Sequence, residues 1–514
     1  MGKKLGHLLH KLLNRLTLTA LFLLIELGWL FSLITGLSQH ALWITPLFTA
    51  ISLLIILSIL RKDVNPAYKL GWVLLIALIP VFGWLMYAVF GNKTLSRRMH
   101  RRITAVEQQH PTDALTPTAT RAATLPPRTR ATATYLARCG GAEAYENTDV
   151  CYFPLGDQLF PALLSDLEQA ERFIFLEYFI LTPGSMLDTL LDVLRRKAAQ
   201  GVDVRIIYDD FGCQSAEMVG FVRKAAQWGI RALPFNPIIP VFSIVMNHRD
   251  HRKITVIDGK IAYTGGINVA DEYINQKERF GHWKDTGLRL QGDAVAGFTR
   301  AFLNLWNAFR KTDEDYAPFL TTSDHRASTG APALVQPFFD SPLDDENVGE
   351  NVYLDILAQA ERYVYIFTPY LVIDAELQTA LCNAAKRGVD VRIVTPGIPD
   401  KKSIFMLTRS YYPVLRRAGV RIYEYTPGFL HAKSFVCDDR IAVVGTVNMD
   451  YRSLYLHFEC GTVFYGGEAL DALLSDCRAT MEQSAPIESC EFGRARGFLR
   501  GIRQALLRAL APLL

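Results

Sequence analysis

The sequence contains no Cys-x-x-Cys pair and no short cluster of histidine and cysteine, so it offers nothing with the ligand spacing of a structural zinc site. Its eight cysteines (Cys139, Cys151, Cys213, Cys382, Cys437, Cys460, Cys477 and Cys490) stand singly, which reads as buried, reduced thiols on the cytoplasmic side, where disulfides rarely persist. Charge of one sign is scarce as well. With 55 basic and 51 acidic residues the net charge is +4, too small to argue for nucleic acid on composition. Long apolar runs are absent after about residue 90, although half of all residues are apolar. A length of 514 residues exceeds what one hydrophobic core usually holds, so two or more folding units are expected beyond the apolar N-terminus.

That N-terminus carries three stretches, Leu16 to Leu37, Ala41 to Leu60 and Leu70 to Phe90, each near the roughly 20 residues a helix needs to cross a bilayer. A cleaved signal peptide does not fit the first, which is too long, contains Glu26 and is followed by more apolar sequence. Basic residues precede the first stretch (Lys3, Lys4, Lys11, Arg15), follow the second (Arg61, Lys62, Lys69) and follow the third (Lys93, Arg97, Arg98, Arg101, Arg102). Three full crossings would put one of these clusters on the wrong face. A hairpin of the first two stretches through Gly36, Leu37, Ser38 and Gln39 avoids this if the third, interrupted by Pro80 and Gly83, lies re-entrant or at the interface. Residues 1–102 are therefore expected to form a membrane region of two or three hydrophobic helices. Residues 103–134, rich in Thr, Ala, Pro and Arg without apolar periodicity, read as a linker.

The remainder repeats itself. "LEQAERFIFLEYFI" from Leu167 matches "LAQAERYVYIFTPY" from Leu357, and "GVDVRIIYDD" from Gly201 matches "GVDVRIVTPG" from Gly388. Each copy alternates helical patterns, such as Met186 to Gln200, with β-branched runs, the signature of a sheet covered by helices. We expect two α/β domains, 135–325 and 326–485, related by a pseudo-twofold axis and followed by a basic amphipathic tail, 486–514. In that tail Arg494, Arg496, Arg500, Arg503 and Arg508 interleave with apolar residues, as suits either an anionic leaflet or packing on the protein itself.

Chemistry is repeated too. "HRKITVIDGKIAYTGGIN" from His251 and "HAKSFVCDDRIAVVGTVN" from His431 share H-x-K-x-x-x-x-D followed by G-x-x-N, every member offset by 180 residues. One such match is expected by chance about 0.02 times in a chain of this composition, and two in register far less often. Alternation along a strand puts His251 with Lys253 on one face, and likewise His431 with Lys433. Two imidazoles beside two ammonium groups suit a phosphodiester. The lysines neutralise its oxygens, Asn268 and Asn448 can donate further hydrogen bonds, one histidine attacks phosphorus, and the other protonates the departing alcohol. The two imidazoles must then differ in protonation near neutral pH. Asp258 and Asp438, seven residues past the histidines and about 23 Å away along a strand, are expected at strand-to-turn junctions rather than on the imidazoles. Asp285 and Glu459, 34 and 28 residues after the histidine of their own half, are better placed to return and orient it. Glu177 in the apolar run "FIFLEYFI" reads as buried and paired and is left outside the catalytic set.

These motifs resemble the phospholipase D superfamily, and "NPAYKLGWVLLIALIPVFGWLMYAVFG" from Asn65, "NHRDHRKITVIDGKIAYTGGINVADEY" from Asn247, "HWKDTGLRLQGDAV" from His282 and "GTVNMDYRSLYLHFE" from Gly445 are similar to its bacterial cardiolipin synthases. Many members carry Arg where Lys284 stands and Asn where His457 stands. The resemblance implies two phospholipase D-like domains at the inner membrane, with the catalytic domains cytoplasmic. It also implies a reaction in which two phosphatidylglycerol molecules give cardiolipin and glycerol through a phosphohistidine, first attack by His251, and no metal or organic cofactor. A hydrolytic phospholipase D and a phosphatidylethanolamine-dependent synthase share these motifs. A nuclease is disfavoured by the apolar N-terminus and the lack of a long basic stripe.

Overall fold

The computed structural model describes residues 41–62, 65–90, 94–237, 248–310, 312–320 and 325–488, with a few isolated positions near both ends. The apolar stretch from Leu16 to Leu37, the turn at 36–39 and nearly all of the tail lie outside the described residues. The chain divides into two units, Met1–Met99 with Ile238–Asn247 and Gly497–Leu514, and His100–Pro237 with His248–Arg496.

In the first unit, helix Ala41–Leu60 is 20 residues long, carries Pro46, and has its side chains described from residue 46 onward. Among the described residues no helix is long and apolar enough to cross a membrane. The third apolar stretch is not one helix. It breaks at Ile79 into Pro66–Leu78 and Pro80–Phe90, because Pro80 has no N–H to continue the ladder. The two pieces fold back on each other. Trp72 and Tyr87 have ring centroids 5.3 Å apart, where a straight helix would separate fifteen positions by about 22 Å. Gly83 permits the closure, since a Cβ there would lie 2.6 Å from Ile76 Cα. Leu47, Leu53, Leu54, Leu57, Leu70 and Leu78 are all more than half exposed, an apolar surface that water does not favour.

The second unit holds two large sheets and two short strand pairs. The first half contributes β1 Thr148–Phe153, β2 Phe173–Tyr178, β3 Asp203–Asp209, β4 Arg231–Phe235, β5 Lys253–Ile257, β6 Ile261–Gly265, β7 His282–Lys284 and β8 Gly287–Gly292. The second half contributes β9 Leu334–Asp340, β10 Tyr363–Phe367, β11 Leu371–Val372, β12 Asp390–Pro396, β13 Arg421–Tyr425, β14 Gly428–Leu430, β15 Ser434–Cys437, β16 Ile441–Gly445, β17 Met449–Asp450, β18 Glu459–Tyr465 and β19 Ser484–Pro486. The large sheets have the orders β1-β8-β6-β5-β2-β3-β4 and β9-β18-β16-β15-β10-β12-β13, the latter extended by β19, and the short pairs are β7 with β14 and β11 with β17. The duplication read in the sequence is thus a duplication of topology, strand for strand. In each half the run of three parallel strands (β2, β3, β4 and β10, β12, β13) is built from apolar segments, and β2 is buried at all six positions, as covering by helices on both faces requires. Glu177 on β2 is paired there with Arg252 at 2.7 Å, and Arg252 also holds Asp250 at 3.0 Å, so this carboxylate belongs to a core ion cluster.

Two expectations are corrected. The stretch 103–134 is not a structureless tether. It runs through helices Thr94–Gln109, Leu115–Arg121 and Pro127–Cys139, with Thr118, Thr129, Thr132 and Ala133 buried. Helix Pro127–Cys139 packs on the second half, where Tyr135 donates to Glu346 at 2.6 Å and Gln336 donates to the Ala133 carbonyl at 3.0 Å. Small Thr and Ala side chains bury closely without the large apolar periodicity that marks most helices. The thiols are also not uniformly buried: Cys139 and Cys151 are exposed, and the seven described cysteines are all free.

Candidate active site

Each motif histidine sits where its chain enters a β-hairpin, just before β5 or just before β15. The hairpin turns carry the motif aspartates, Asp258 with φ 54° and Asp438 with φ 55°, in the left-handed region that Asp accepts at low cost. Their carboxylates face away from the histidines. Asp258 accepts from the backbone N–H groups of Glu171, Arg172 and Phe173, each at 2.8 Å, and Asp438 accepts from Glu361, Arg362 and Tyr363 at 2.7, 2.9 and 2.8 Å. Each aspartate therefore ties its hairpin to the start of the central strand, β2 or β10, and so sets the position of the histidine at the hairpin's other end.

The segment before each histidine pairs with the opposite half. The His251 N–H donates to the Phe458 carbonyl at 2.9 Å, and the His431 N–H donates to the Lys284 carbonyl at 2.7 Å. β14 runs parallel to β7, with Leu430 opposite Lys284. The residues that follow those two carbonyls are Glu459 and Asp285. The carboxylates consequently cross over: His251 Nδ1 lies 2.9 and 3.0 Å from the Glu459 oxygens, and His431 Nδ1 lies 2.6 Å from Asp285 Oδ2. This corrects the expectation that each acid returns to the histidine of its own half. Register between strands of different halves overrides proximity in the chain. Lys284, the chain neighbour of Asp285, meets Asp476 at 2.8 Å.

Lys253 and Lys433 fold back over their histidines, each ammonium donating to the histidine carbonyl two residues earlier, and Lys433 Nζ lies 2.8 Å from His431 Nδ1 and 3.1 Å from Nε2. All four basic side chains are buried, and Asp285 and Glu459 are fully so. Burial is the largest influence on every one of them. It pushes both imidazoles well below their ordinary range, with the lysine charges adding to the effect, so both are neutral near pH 7. It draws Lys253 down to about 8 and Lys433 to about 7, and raises Asp285 to about 6 against the pull of Lys433. For Glu459 burial also pushes upward, but the imidazoles of His251 and His457 outweigh it and hold the carboxylate well below its usual range. The charge of Lys253 reaches both His431 and Lys433, which marks a single site built from both halves.

The asparagines differ. Asn268 is engaged in the fold, donating to the Tyr273 hydroxyl at 2.8 Å and accepting from the Ile180 N–H at 3.1 Å, whereas buried Asn448 Oδ1 has no hydrogen-bond partner. Four neighbours escaped the sequence reading. Thr446 donates to Glu459, Gly266 lies against Asp285, Trp283 stands 5.6 Å from His431 and His457 stands 5.6 Å from His251, centroid to centroid. Their signal was available in the spacing, since Trp283 and His457 each precede an orienting carboxylate by two residues.

A family described as "Cardiolipin synthase, PLD-like domain" matches residues 163–306 and 353–480, together more than half of the chain, and one described as "Phospholipase_D-nuclease N-terminal" matches 50–92. The chain is 33% identical to a "Cardiolipin synthase" of Geobacillus thermodenitrificans over 88% of its length and 89% of the relative's. It is 30% identical to that of Alkalihalophilus pseudofirmus over 98% and 100% respectively. An "Uncharacterized protein" of Streptococcus mutans is 52% identical over 70% of this chain and 77% of its own. Among solved structures, the phosphatidylserine synthase of Haemophilus influenzae superimposes with a TM-score of 0.56 at 15% identity over 75% of this chain and 98% of its own, a likeness of fold. Two matched domains that meet at one crossed pair of histidines and carboxylates, in a sequence aligned with cardiolipin synthases over 88% and 98% of its length, place the chain in the cardiolipin synthase family of the phospholipase D superfamily.

Proposed function

We propose that this phosphatidyltransferase joins two phosphatidylglycerol molecules into cardiolipin and releases glycerol, with His251 carrying the phosphatidyl group between the two steps. The observation that supports this most is the crossed pairing. With Nδ1 of each imidazole turned to a carboxylate, Nε2 is the atom left to face phosphorus, and two buried ammonium groups flank it. A phosphodiester anion between Lys253 and Lys433 replaces the water that burial removed and supplies negative charge beside the imidazoles, which favours a proton on one of them. In the first step His251 Nε2 bonds to phosphorus, the P–O bond to glycerol breaks, and the proton on His431 goes to the leaving oxygen. In the second step His431 takes the proton from the hydroxyl of a second phosphatidylglycerol, whose oxygen bonds to phosphorus as the P–N bond breaks. Glu459, held ionised, keeps His251 oriented, and Asp285 supports the positive charge that His431 carries before the first step and regains in the second.

The same reading places residues 1–102 in the inner membrane and the catalytic unit on its cytoplasmic face. Support comes from the exposed leucines of the N-terminal helices, the back-folded third stretch with both ends on one side, and the basic clusters flanking these segments. Exposed Cys139 and Cys151 offer the check: a membrane-impermeant maleimide should label them in inverted vesicles and not in intact cells.

The decisive measurement is lipid analysis of purified enzyme given phosphatidylglycerol alone. Cardiolipin and glycerol in equal amounts are expected. Phosphatidic acid as the main product would mean water, not lipid, takes the intermediate. No turnover until phosphatidylethanolamine is added would move the donor to that lipid.

A further inference from the structure

The two histidines have different third neighbours at one structural position. Trp283 precedes Asp285 by two residues and stands 5.6 Å from His431 at 45°, while His457 precedes Glu459 by two residues and stands 5.6 Å from His251 at 43°. An indole in one half is thus replaced by an imidazole in the other. The His457 side chain is nine-tenths buried, and neither ring nitrogen has a hydrogen-bond partner, although Nδ1 is only 3.8 Å from Glu459 Oε1. A buried imidazole with both nitrogens unbonded lacks something that would satisfy it. One donor atom each from His251, His457 and Glu459 lie within 4.8 Å of one another, the only such trio among the described residues.

We propose that His251, His457 and Glu459 form a site for a transition-metal ion of the zinc class, and that filling it switches the enzyme off. Two imidazole nitrogens and one carboxylate oxygen with a fourth position open are a donor set that zinc favours and that magnesium and calcium, which need oxygen, do not. Metal–ligand bonds of about 2.0–2.1 Å at tetrahedral angles separate donors by about 3.3 Å. The separations here, 2.9 Å from His251 to Glu459 and 3.8 Å from His457 to Glu459, bracket that figure, so small side-chain rotations suffice. The Thr446 hydroxyl on Glu459 supplies the outer hydrogen bond that steadies such a carboxylate. Trp283 has no lone pair to offer, so the His431 half has no counterpart.

The consequence follows from the imidazole's two nitrogens. A metal ion on His251 Nδ1 takes the lone pair there, and the proton formerly shared with Glu459 goes to Nε2. A nitrogen–metal bond forms, the His251–Glu459 hydrogen bond breaks, and no proton is lost overall. Nε2 then carries hydrogen where it must carry a free electron pair. Inhibition by this route rests on the role proposed above for His251; metal binding does not. The Lys253 ammonium opposes a second cation in the same pocket, which makes the site reversible rather than permanently filled.

The test uses full-length enzyme in detergent, stripped with chelator and titrated with zinc chloride, with bound zinc counted after gel filtration and turnover of phosphatidylglycerol followed in parallel. Expected are zinc inhibition that chelator reverses, no inhibition by magnesium or calcium, and one zinc fewer per chain in His457→Trp, whose half-inhibiting zinc concentration, taken against its own metal-free rate, rises at least tenfold. Equal zinc content and equal inhibition in His457→Trp would overturn the site. Wild-type enzyme that holds less than one zinc per chain after stripping and zinc titration would overturn it without any variant. Cobalt substitution adds a check independent of turnover, because four-coordinate cobalt shows visible absorption bands that an unfilled site lacks. If phosphatidylglycerol is not consumed at all, the zinc count and cobalt spectrum still decide for or against the site, and only the proposed substrate falls.

Discussion

The two halves of the catalytic unit share a fold but surround their histidines differently, and the differences fall at matching positions. Glu459 reaches His251 with a side chain one methylene longer than that of Asp285, and a hydroxyl, Thr446, holds it. At the position equivalent to Thr446 stands Gly266, where a Cβ would come within 2.0 Å of Asp285 Oδ1. The shorter acid therefore sits closer to its own backbone, with the Thr286 N–H as donor at 2.8 Å. Their electrostatics diverge accordingly. Two imidazoles keep Glu459 ionised, whereas burial lifts Asp285 to about 6. Duplication supplied two identical His/Lys pairs whose surroundings have since diverged, and the mechanism proposed above would use one to hold a neutral imidazole in place and the other to exchange a proton.

The largest effect should come from the histidines. His251→Ala and His431→Ala should each lower cardiolipin formation about 10⁴-fold or more, because both steps need both rings. The halves separate when the leaving group no longer needs a proton. With a lipid phosphodiester of p-nitrophenol, the first-turnover burst of nitrophenolate should recover to within roughly a hundredfold of the wild-type rate in His431→Ala, with the second step still blocked, and stay abolished in His251→Ala. Recovery in the opposite variant would make His431 the attacking residue.

The carboxylates come next, with Glu459→Gln and Asp285→Asn each costing about 10²–10⁴-fold with phosphatidylglycerol, the range known for such an orienting acid. The nitrophenyl substrate should group them across the halves, rescuing Asp285→Asn together with His431→Ala, and leaving Glu459→Gln unrescued, like His251→Ala. Grouping by half, Asp285 with His251, would refute the crossed geometry. A smaller contrast is expected behind the acids. Gly266→Ala should cost about a hundredfold because the new methyl must displace Asp285, while Thr446→Ala removes one hydrogen bond worth about 1 kcal/mol and should cost less than about tenfold. Comparable losses in the two variants would mean that Asp285 has room to move.

These contrasts also mark what could be read from the chain and what could not. Both His/Lys pairs, the duplicated α/β architecture and the turn placement of Asp258 and Asp438 were legible because duplication repeats a pattern in register and because Asp-Gly and Asp-Asp turns have local causes. The partners of the histidines were not legible. They are 208 residues away for His251 and 146 for His431, and nothing local determines which strand of one half lies beside which strand of the other. The helices within 103–134 escaped for another reason, since buried Thr118, Thr132 and Ala133 give no apolar stripe.

The smallest effect should be in the pH dependence, and it bears on the same asymmetry. Asp285 accepts the His431 Nδ1–H only when ionised, so kcat/KM should fall as pH drops through about 6. The lysines bind phosphate only when protonated, so it should also fall as pH rises, first through about 7, where Lys433 loses its proton, and then through about 8, where Lys253 does. Lys433 is the weaker base because the Lys253 charge adds to its burial, whereas the neighbouring charges that oppose burial at Lys253 are Glu459, Cys460, Asp285 and Asp250. Arginine stays protonated throughout this range. Lys433→Arg should therefore move the alkaline limb from near pH 7 to near pH 8, raising activity at pH 8 severalfold relative to the variant's own maximum, while Lys253→Arg should leave the limb near pH 7. Equal displacement in both variants would mean that the lysines titrate as one group and that the halves do not differ in this respect.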